Sequence, residues 1–425
     1  MFGVPVLYER KTKQRSPGCI VRKINTRSFQ RATRGTPREV NRRILLNLVR
    51  EHQPISRADL ARRLNMSRGM VSSLVGDLIS EGLLFEGAVG QAPRGRKPRL
   101  LHIRAHDRLV IGIDIRRRRT HILLSDFGGT EIAMETFPTP REMDSLLDEL
   151  VARVERLMQA HESLGRFEGI GMVVPGLVDA ETGVVLHAPT LGWKDVDIRR
   201  MLKERVPLEV QIERDAVACA LAKIWLGRRG EHPENFAYLT VSDGVGAGIV
   251  VKGQVVRGRH AAGEFGHIPL NLDGPLCFCG SRGCWEAYTS NPATVARYLG
   301  RELSEYPEAK ASGPEPDVTI EDVVARALDG EAAACRALEE TARYLGIGLA
   351  GIVNALSPEE IIVGGEITAA WDIIHPLLKR ELEGRVLTAS AGETPVNPES
   401  SDRDTRLRGA VVLVVGPAFA APVIA

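Results

Sequence analysis

Between Gly266 and Glu286 the chain reads GHIPLNLDGPLCFCGSRGCWE. That stretch holds one imidazole and three thiols: His267, Cys277, Cys279 and Cys284. Four such donors complete a tetrahedral Zn²⁺ shell and leave no position for water, so the site they predict is structural rather than hydrolytic. A bound ion would also fix the carboxylates that flank it, Glu264 upstream and Glu286 within it. Two rival readings are buried free thiols and a redox Cys-x-Cys pair, and neither uses the histidine. Cys19, Cys219 and Cys335 read as free thiols, so the six cysteines do not form a disulfide scaffold. Cysteines used this way fit a reducing cytoplasm.

A chain of 425 residues exceeds what one hydrophobic core usually serves, so two or three domains are expected. The net charge of +2 conceals an asymmetry. Residues 1–104 carry 22 Lys and Arg against 7 Asp and Glu, a net of +15, which leaves −13 for the remainder. A basic module joined to an acidic one confines contact with a polyanion to the N-terminal part. The start, MFGVPVLYERK, brings charges before an apolar run and does not read as a secretory signal. The apolar stretch 409–425 is short and interrupted by Gly416, Pro417 and Pro422, so it reads as a last core element plus a tail, not a membrane span.

Residues 1–37 are basic and aperiodic, which predicts a flexible arm; the alternatives are a plain tail and an arm that touches DNA phosphates or a minor groove. From Arg38, Val40, Ile44, Leu45, Leu48 and Val49 fall at helical spacing. Ser56, with Asp59 three residues on, starts a second helix over 57–64. Ser67 starts a third over 68–81, which Gly82 ends. Residues 83–103 then read as two strands around a basic Gly/Pro loop. The whole, 38–104, is a winged helix-turn-helix. Double-stranded DNA is the expected partner. Arg68, Ser72 and Ser73 would face base edges, Ser67 a phosphate, and Arg94, Arg96, Lys97 and Arg99 on the wing a phosphate or minor groove. The competing reading is a three-helix module for protein contacts with a solvated basic loop.

From Leu109 strands and helices alternate, with glycine loops after strands, as in LVIGIDI, GIGMVVPG and AYLTVSDG. This predicts an α/β module over 105–415 and a tail over 416–425, with ligands at strand ends. Helices are expected over 143–161, 216–226, 291–299 and 332–356. Two halves that each begin strand–turn–strand suggest a duplicated fold around a cleft.

The stretches SDGVGAGIVVKGQVVRGRHAAGEFGH, CFCGSRGCWEAYTS, IERDAVACALA and NALSPEEIIVGGEI, behind the winged helix, resemble the ROK family in its repressor branch, the xylose- and N-acetylglucosamine-responsive kind. The resemblance covers about residues 38–415. It implies a two-lobed actin-like ATPase/sugar-kinase fold with sugar bound in the cleft. It places Asp215 at the kinase base and Glu264, His267 and Glu286 at sugar hydroxyls, with His267 also the metal histidine. Gly176, Arg214 and Asp215 complete the expected ligand contacts.

Three departures bear on function. Where ROK kinases have Asp-x-Gly-Gly-Thr-Lys to close on ATP phosphates, this chain has Asp114-Ile115-Arg116-Arg117-Arg118-Arg119-Thr120. Their Gly-Thr-Gly is Ser242-Asp243-Gly244 here. Arg214 stands where an Asn precedes the base; it either pairs with Glu213 or Asp215, or binds an anionic group on the ligand. The expectation is a non-catalytic regulator of carbohydrate genes, with Asp215 vestigial, structural Zn²⁺, a sugar or sugar-phosphate effector and a homodimeric or homotetrameric state. The alternatives are a sugar kinase with an appended DNA-binding module and a ligand-independent repressor.

Overall fold

The computed structural model describes residues 38–89, 97–226, 233–258, 261–303, 318–399 and 404–420. The expected arm 1–37, together with Arg94 and Arg96, lies outside the described residues.

The described residues open with α1 (Arg38–His52), β1 (Ile55–Ser56), α2 (Arg57–Leu64), α3 (Arg68–Ser80), β2 (Leu84–Val89) and β3 (Arg99–Ile103). Ser56 and Ser67 are both N-caps, accepting from the Asp59 and Met70 amides at 3.1 and 3.2 Å. Asn65 takes a left-handed conformation between α2 and α3, and Gly82 (φ +70°) ends the turn after α3. β2 and β3 form the expected wing, and the short β1 adds a third strand beside β3. Val71, Leu74, Val75 and Leu78 turn inward onto Leu45, Leu48 and Leu60.

A first lobe follows: β4 (Arg108–Ile115), β5 (Arg119–Asp126), β6 (Glu131–Pro138), α4 (Met143–His161), β7 (Arg166–Val174), β8 (Leu177–Val178), β9 (Val185–Ala188), β10 (Trp193–Val196), α5 (Ile198–Lys203) and β11 (Val210–Arg214). Helix α6 (Asp215–Leu226) leads out of it. The second lobe holds β12 (Phe236–Val241), β13 (Val245–Val251), β14 (Gln254–Val255), α7 (Trp285–Thr289), α8 (Asn291–Tyr298), α9 (Ile320–Leu328), α10 (Ala332–Leu356), β15 (Glu360–Gly364), α11 (Trp371–Glu383), α12 (Ala389–Gly392) and β16 (Val396–Pro398). The last helix is α13 (Thr405–Phe419).

The two large sheets have the same topology. One runs β11-β7-β4-β5-β6 and the other β16-β15-β12-β13-β14. In each, the central strand pairs antiparallel with its hairpin partner on one side and parallel with a crossover strand on the other. This is the duplicated two-lobed fold that the repeated strand–turn–strand opening implied.

The C-terminus departs from the expected boundary. Residues 416–419 continue α13, and Phe419 is buried, so no tail begins at 416. Pro417 sits in the last turn and does not end the helix. α13 returns to the first lobe and lies on its sheet. A Cβ on Gly171 would stand 1.8 Å from the Ala410 carbonyl, so the helix seats only because β7 carries glycine there. Among the described residues, no helix is long and apolar enough to cross a membrane.

Candidate functional site

The strand ends of both lobes meet at a cavity of about 610 Å³. That lies within the 300–1,000 Å³ usual for small-molecule sites. All six expected ligand residues line it: Gly176, Arg214, Asp215, Glu264, His267 and Glu286. Gly176, at φ +91°, turns the chain out of the first sheet, and a Cβ there would meet the His187 carbonyl at 2.3 Å. Asp215 is the first residue of α6 and reaches the cavity from the end of β11. Glu286 is buried on α7, and its Oε2 accepts from the Val245 amide at 2.9 Å.

The charges in the cleft are paired differently from the expectation. Arg214 pairs with Glu264 and also donates to the Ala262 carbonyl, rather than pairing with Glu213 or Asp215. Glu213 is taken by Arg257. Asp215 is taken by a residue absent from the expected set, Arg406, at 2.9 Å. The Arg406 guanidinium also reaches Asp114 Oδ1, from Nε at 3.0 Å and from Nη2 at 2.9 Å. Arg116 closes the same network, 2.5 Å from Asp114 and 2.6 Å from Asp404. Burial alone would raise the Asp114 carboxyl, but Arg406 and Arg116 outweigh it and hold it below the ordinary carboxylate range. Arg406 is 292 residues from Asp114 in sequence. The local signal available for it was Asp404, which caps α13 by accepting from the Leu407 amide and so directs the next residues into the cleft.

The loop 116–118 stands where the resemblance puts a phosphate loop. The Arg116 amide donates to the Arg119 carbonyl at 3.2 Å to close it, and the arginine side chains line the cleft in place of backbone amides. Asp243 lines the opposite wall.

The thiol and imidazole donors of His267, Cys277, Cys279 and Cys284 all lie within 4.8 Å of one another, so the cluster can hold a metal ion. Cys277 Sγ is 3.7 Å from His267 Nδ1, and Cys279 Sγ is 3.7 Å from Cys284 Sγ. A tetrahedron with metal–sulfur arms of about 2.3 Å has edges of about 3.8 Å, so these two pairs stand close to the separation such a shell needs. The local fold explains the convergence. The Cys277 amide donates to Ser281 and the Gly280 amide to Cys277, folding the chain so that Cys279 faces Cys284. Gly283, at φ +69°, packs so closely that a Cβ would fall 1.6 Å from the Asn271 carbonyl. His267 offers Nδ1 to this cluster and turns Nε2 toward Glu264, 3.8 Å away, on the cavity side. Burial first, then Glu286, pushes the metal-free Cys277 thiol up; burial and Cys279 push Cys284 up to about 11.

On the winged helix, Ser67, Arg68, Ser72 and Ser73 are all exposed on one face of α3 together with Gly69 and Gly76. Lys97 is exposed at the base of the wing. Arg38, missed in the sequence, donates to Ser73 Oγ at 2.7 Å and pairs with Asp77 at 2.6 Å, placing a further guanidinium beside that face.

A profile of the ROK family matches residues 110–416, and a winged helix-turn-helix DNA-binding profile matches residues 38–84. The chain belongs to the ROK family. Over 399 residues it is 31% identical to a putative xylose repressor of Caldicellulosiruptor sp. (strain Rt8B.4), with 91% of this chain and 98% of that protein covered. The crystal structure of a ROK family transcriptional regulator, a homolog of the E. coli MLC protein, superposes with a TM-score of 0.75 at 26% identity, covering 90% of this chain and 97% of that one. A ROK family glucokinase from Streptomyces griseus, in complex with glucose and AMPPNP, gives 0.62 at 29% identity over 72% of this chain and 98% of its own. The glucokinase therefore matches less of this ROK chain than the regulator does.

Proposed function

We propose that this protein is a cytoplasmic, sugar-responsive DNA-binding regulator, a repressor of carbohydrate genes, and not a kinase. One observation carries the second half of that reading: the Arg406 guanidinium lies between Asp114 and Asp215. Phosphoryl transfer depends on positioning and on a base free to take a proton. Here the base position is ion-paired, and the loop that would cradle phosphates presents side chains instead of glycine amides. The sugar class follows from the donors left in the cleft. Glu264, Glu286, Asp215 and His267 offer acceptors and an imidazole to a ring of hydroxyls. Arg214 is engaged with Glu264, which favours a neutral sugar over an anionic one. Both repressor and kinase relatives support sugar as the ligand class.

Zinc is the metal that three thiolates and an imidazole select, and its task would be to hold His267 and Glu286 in place. On the DNA side, Arg68, Ser72 and Ser73 would read bases, with Ser67, Arg38 and Lys97 on the backbone, joined by the wing residues Arg94 and Arg96. A two-fold dimer would present two such faces to half-sites about one helical turn apart. The experiment that tests this reading is ADP release with ATP and a panel of sugars, run beside operator binding with the same panel. Sugar-dependent operator release without turnover supports it; sugar-dependent ADP release would establish a kinase with an appended DNA-binding module.

A further inference from the structure

Two helices run side by side from the cleft to the winged helix. α6 begins with Asp215 in the cleft, and α13 has Arg406 as its second residue there. The Asp215–Arg406 ion pair ties their starting ends. About one turn further on, Gly409 lies so close to α6 that a Cβ would meet the Ala218 carbonyl at 2.4 Å. At their far ends the Trp225 and Phe419 rings are 6.3 Å apart. Twelve and fifteen residues at about 1.5 Å each carry these contacts roughly 18–22 Å from the cleft.

Each helix rides on a different lobe. α13 lies on the first sheet at Gly171, and α6 lies on the second, where a Cβ on Gly248 would stand 2.2 Å from the Ala216 carbonyl. Motion of one lobe against the other must therefore shear this pair. Packed helices answer shear by small, discrete shifts rather than by bending.

The winged helix grips both far ends. The Arg50 guanidinium of α1 sits 4.6 Å from the Trp225 ring and 5.0 Å from that of Phe419. Asn47 donates to the Phe419 carbonyl at 2.7 Å from a buried position, and Arg43 to the Pro417 carbonyl at 3.0 Å. Leu45, Leu48, Trp225 and Phe419 belong to one continuous apolar core.

We infer that α6 and α13 form the coupling element of this protein, with Arg406 as the positioning residue at the cleft and Arg50 as the reader at the winged helix. Occupancy of Asp215 by a ligand hydroxyl competes with Arg406, relaxes the tie between the helices, and alters the Arg50 clamp that orients α1. Linkage then requires the reverse: a change at Arg50 alters the cleft ends of the helices. The inference takes its biological sense from the sugar-responsive reading, but its test does not depend on it.

The test is amide hydrogen exchange on the full chain, comparing wild type with Arg406→Gln and with Arg257→Gln, which removes an ion pair to Glu213 that includes no residue of either helix. Arg406→Gln is expected to speed exchange in residues 43–50 and 414–419 by about threefold or more, through local opening, while Arg257→Gln leaves both unchanged. Wild-type exchange there in Arg406→Gln, or equal acceleration in both variants, overturns the inference. If Arg406→Gln fails to fold, Arg50→Met is read from the other end, at residues 215–219 and 404–409; no change at those positions overturns it equally. Calorimetry with D-xylose and D-glucose separates the two ideas. A sugar that binds but leaves residues 43–50 unaltered overturns the coupling and keeps the sugar reading. If neither sugar binds, the sugar reading fails for these two ligands, and the variant comparison still decides the coupling.

Discussion

Cys277 Sγ lies 3.4 Å from Glu286 Oε1, so the candidate metal shell meets the floor of the cleft through this hydrogen bond as well as through His267. In the metal-free protein the thiol donates and Glu286 accepts. A metal takes the thiolate and removes that donor. Metal loading fixes His267 and the segment that packs Cys277 against Glu286, and is expected on that ground to strengthen sugar binding by about tenfold or more, the usual scale for losing a supporting contact at a metal site. Calorimetry of the chelated and zinc-loaded protein with D-xylose and D-glucose measures this. Equal affinities would separate the knot from the cleft.

Metal uptake must also release protons. Cys284 is held at about 11 and Cys277 higher, so both are protonated thiols at neutral pH without metal. Zinc affinity should rise with pH between 6 and 8, and titrations in two buffers of different ionisation heat should reveal proton release. Cys279→Ser is expected to lower both the metal content, read by mass spectrometry, and the unfolding temperature.

Arg214 and Glu264 are a second pair to break. Arg214→Met leaves Glu264 facing the cleft without its guanidinium, and the expected cost is about 1–3 kcal/mol in urea unfolding. The same pairing predicts that D-glucose binds more tightly than D-glucose 6-phosphate. Tighter binding of the phosphate would show that Arg214 leaves Glu264 to meet an anion.

Asp114 predicts an acid dependence. Its folded carboxyl is held below the unfolded value of about 3.9, so its contribution is present above that value and fades as pH falls through the depressed one. Arg406→Met removes one of its two guanidinium partners in a buried site and should cost about 3–5 kcal/mol near neutrality. In the variant the carboxyl protonates at a higher pH. The gap between variant and wild type should therefore shrink on acidification, measured by urea unfolding from pH 7 to 3. A constant gap would assign the loss to packing instead.

On the DNA face, Lys97→Ala should weaken binding alike for all sequences and reduce the salt slope by about 1, whereas Arg68→Ala should lower discrimination by roughly 1–3 kcal/mol at its base. Arg38→Ala should cost under about 1 kcal/mol of stability, since its pair with Asp77 is exposed, yet lower affinity. Anisotropy titrations at several salt concentrations, on an operator selected from a random duplex pool, measure all three.

Local chemistry made much of this legible. Ser56, Ser67 and Gly82 mark helix ends because caps and left-handed glycines act within a turn or two of chain. α4 and α10 could be read to the residue from their apolar periodicity. The metal donors lie within eighteen residues of one another, so spacing alone could group them. What stayed hidden was long-range pairing. Nothing near Arg214 indicates that Glu264 rather than Glu213 would take it, because neighbours in a strand point to opposite faces while distant loops converge. Arg406 belongs to no motif the sequence offers, and Pro417 looked like a stop, because neither the cleft nor the surface that buries Phe419 is written nearby.

The contact between the first and last helices sets a rule for recombining such proteins. A chimera cut once, behind the wing near residue 104, would join a foreign recognition module to a C-terminal helix shaped for another surface, losing the Arg43, Asn47 and Arg50 contacts together. A working transplant needs two cuts, one after the wing and one before Asp404. In heredity as in the laboratory, the head and the final helix of this chain should travel as one unit.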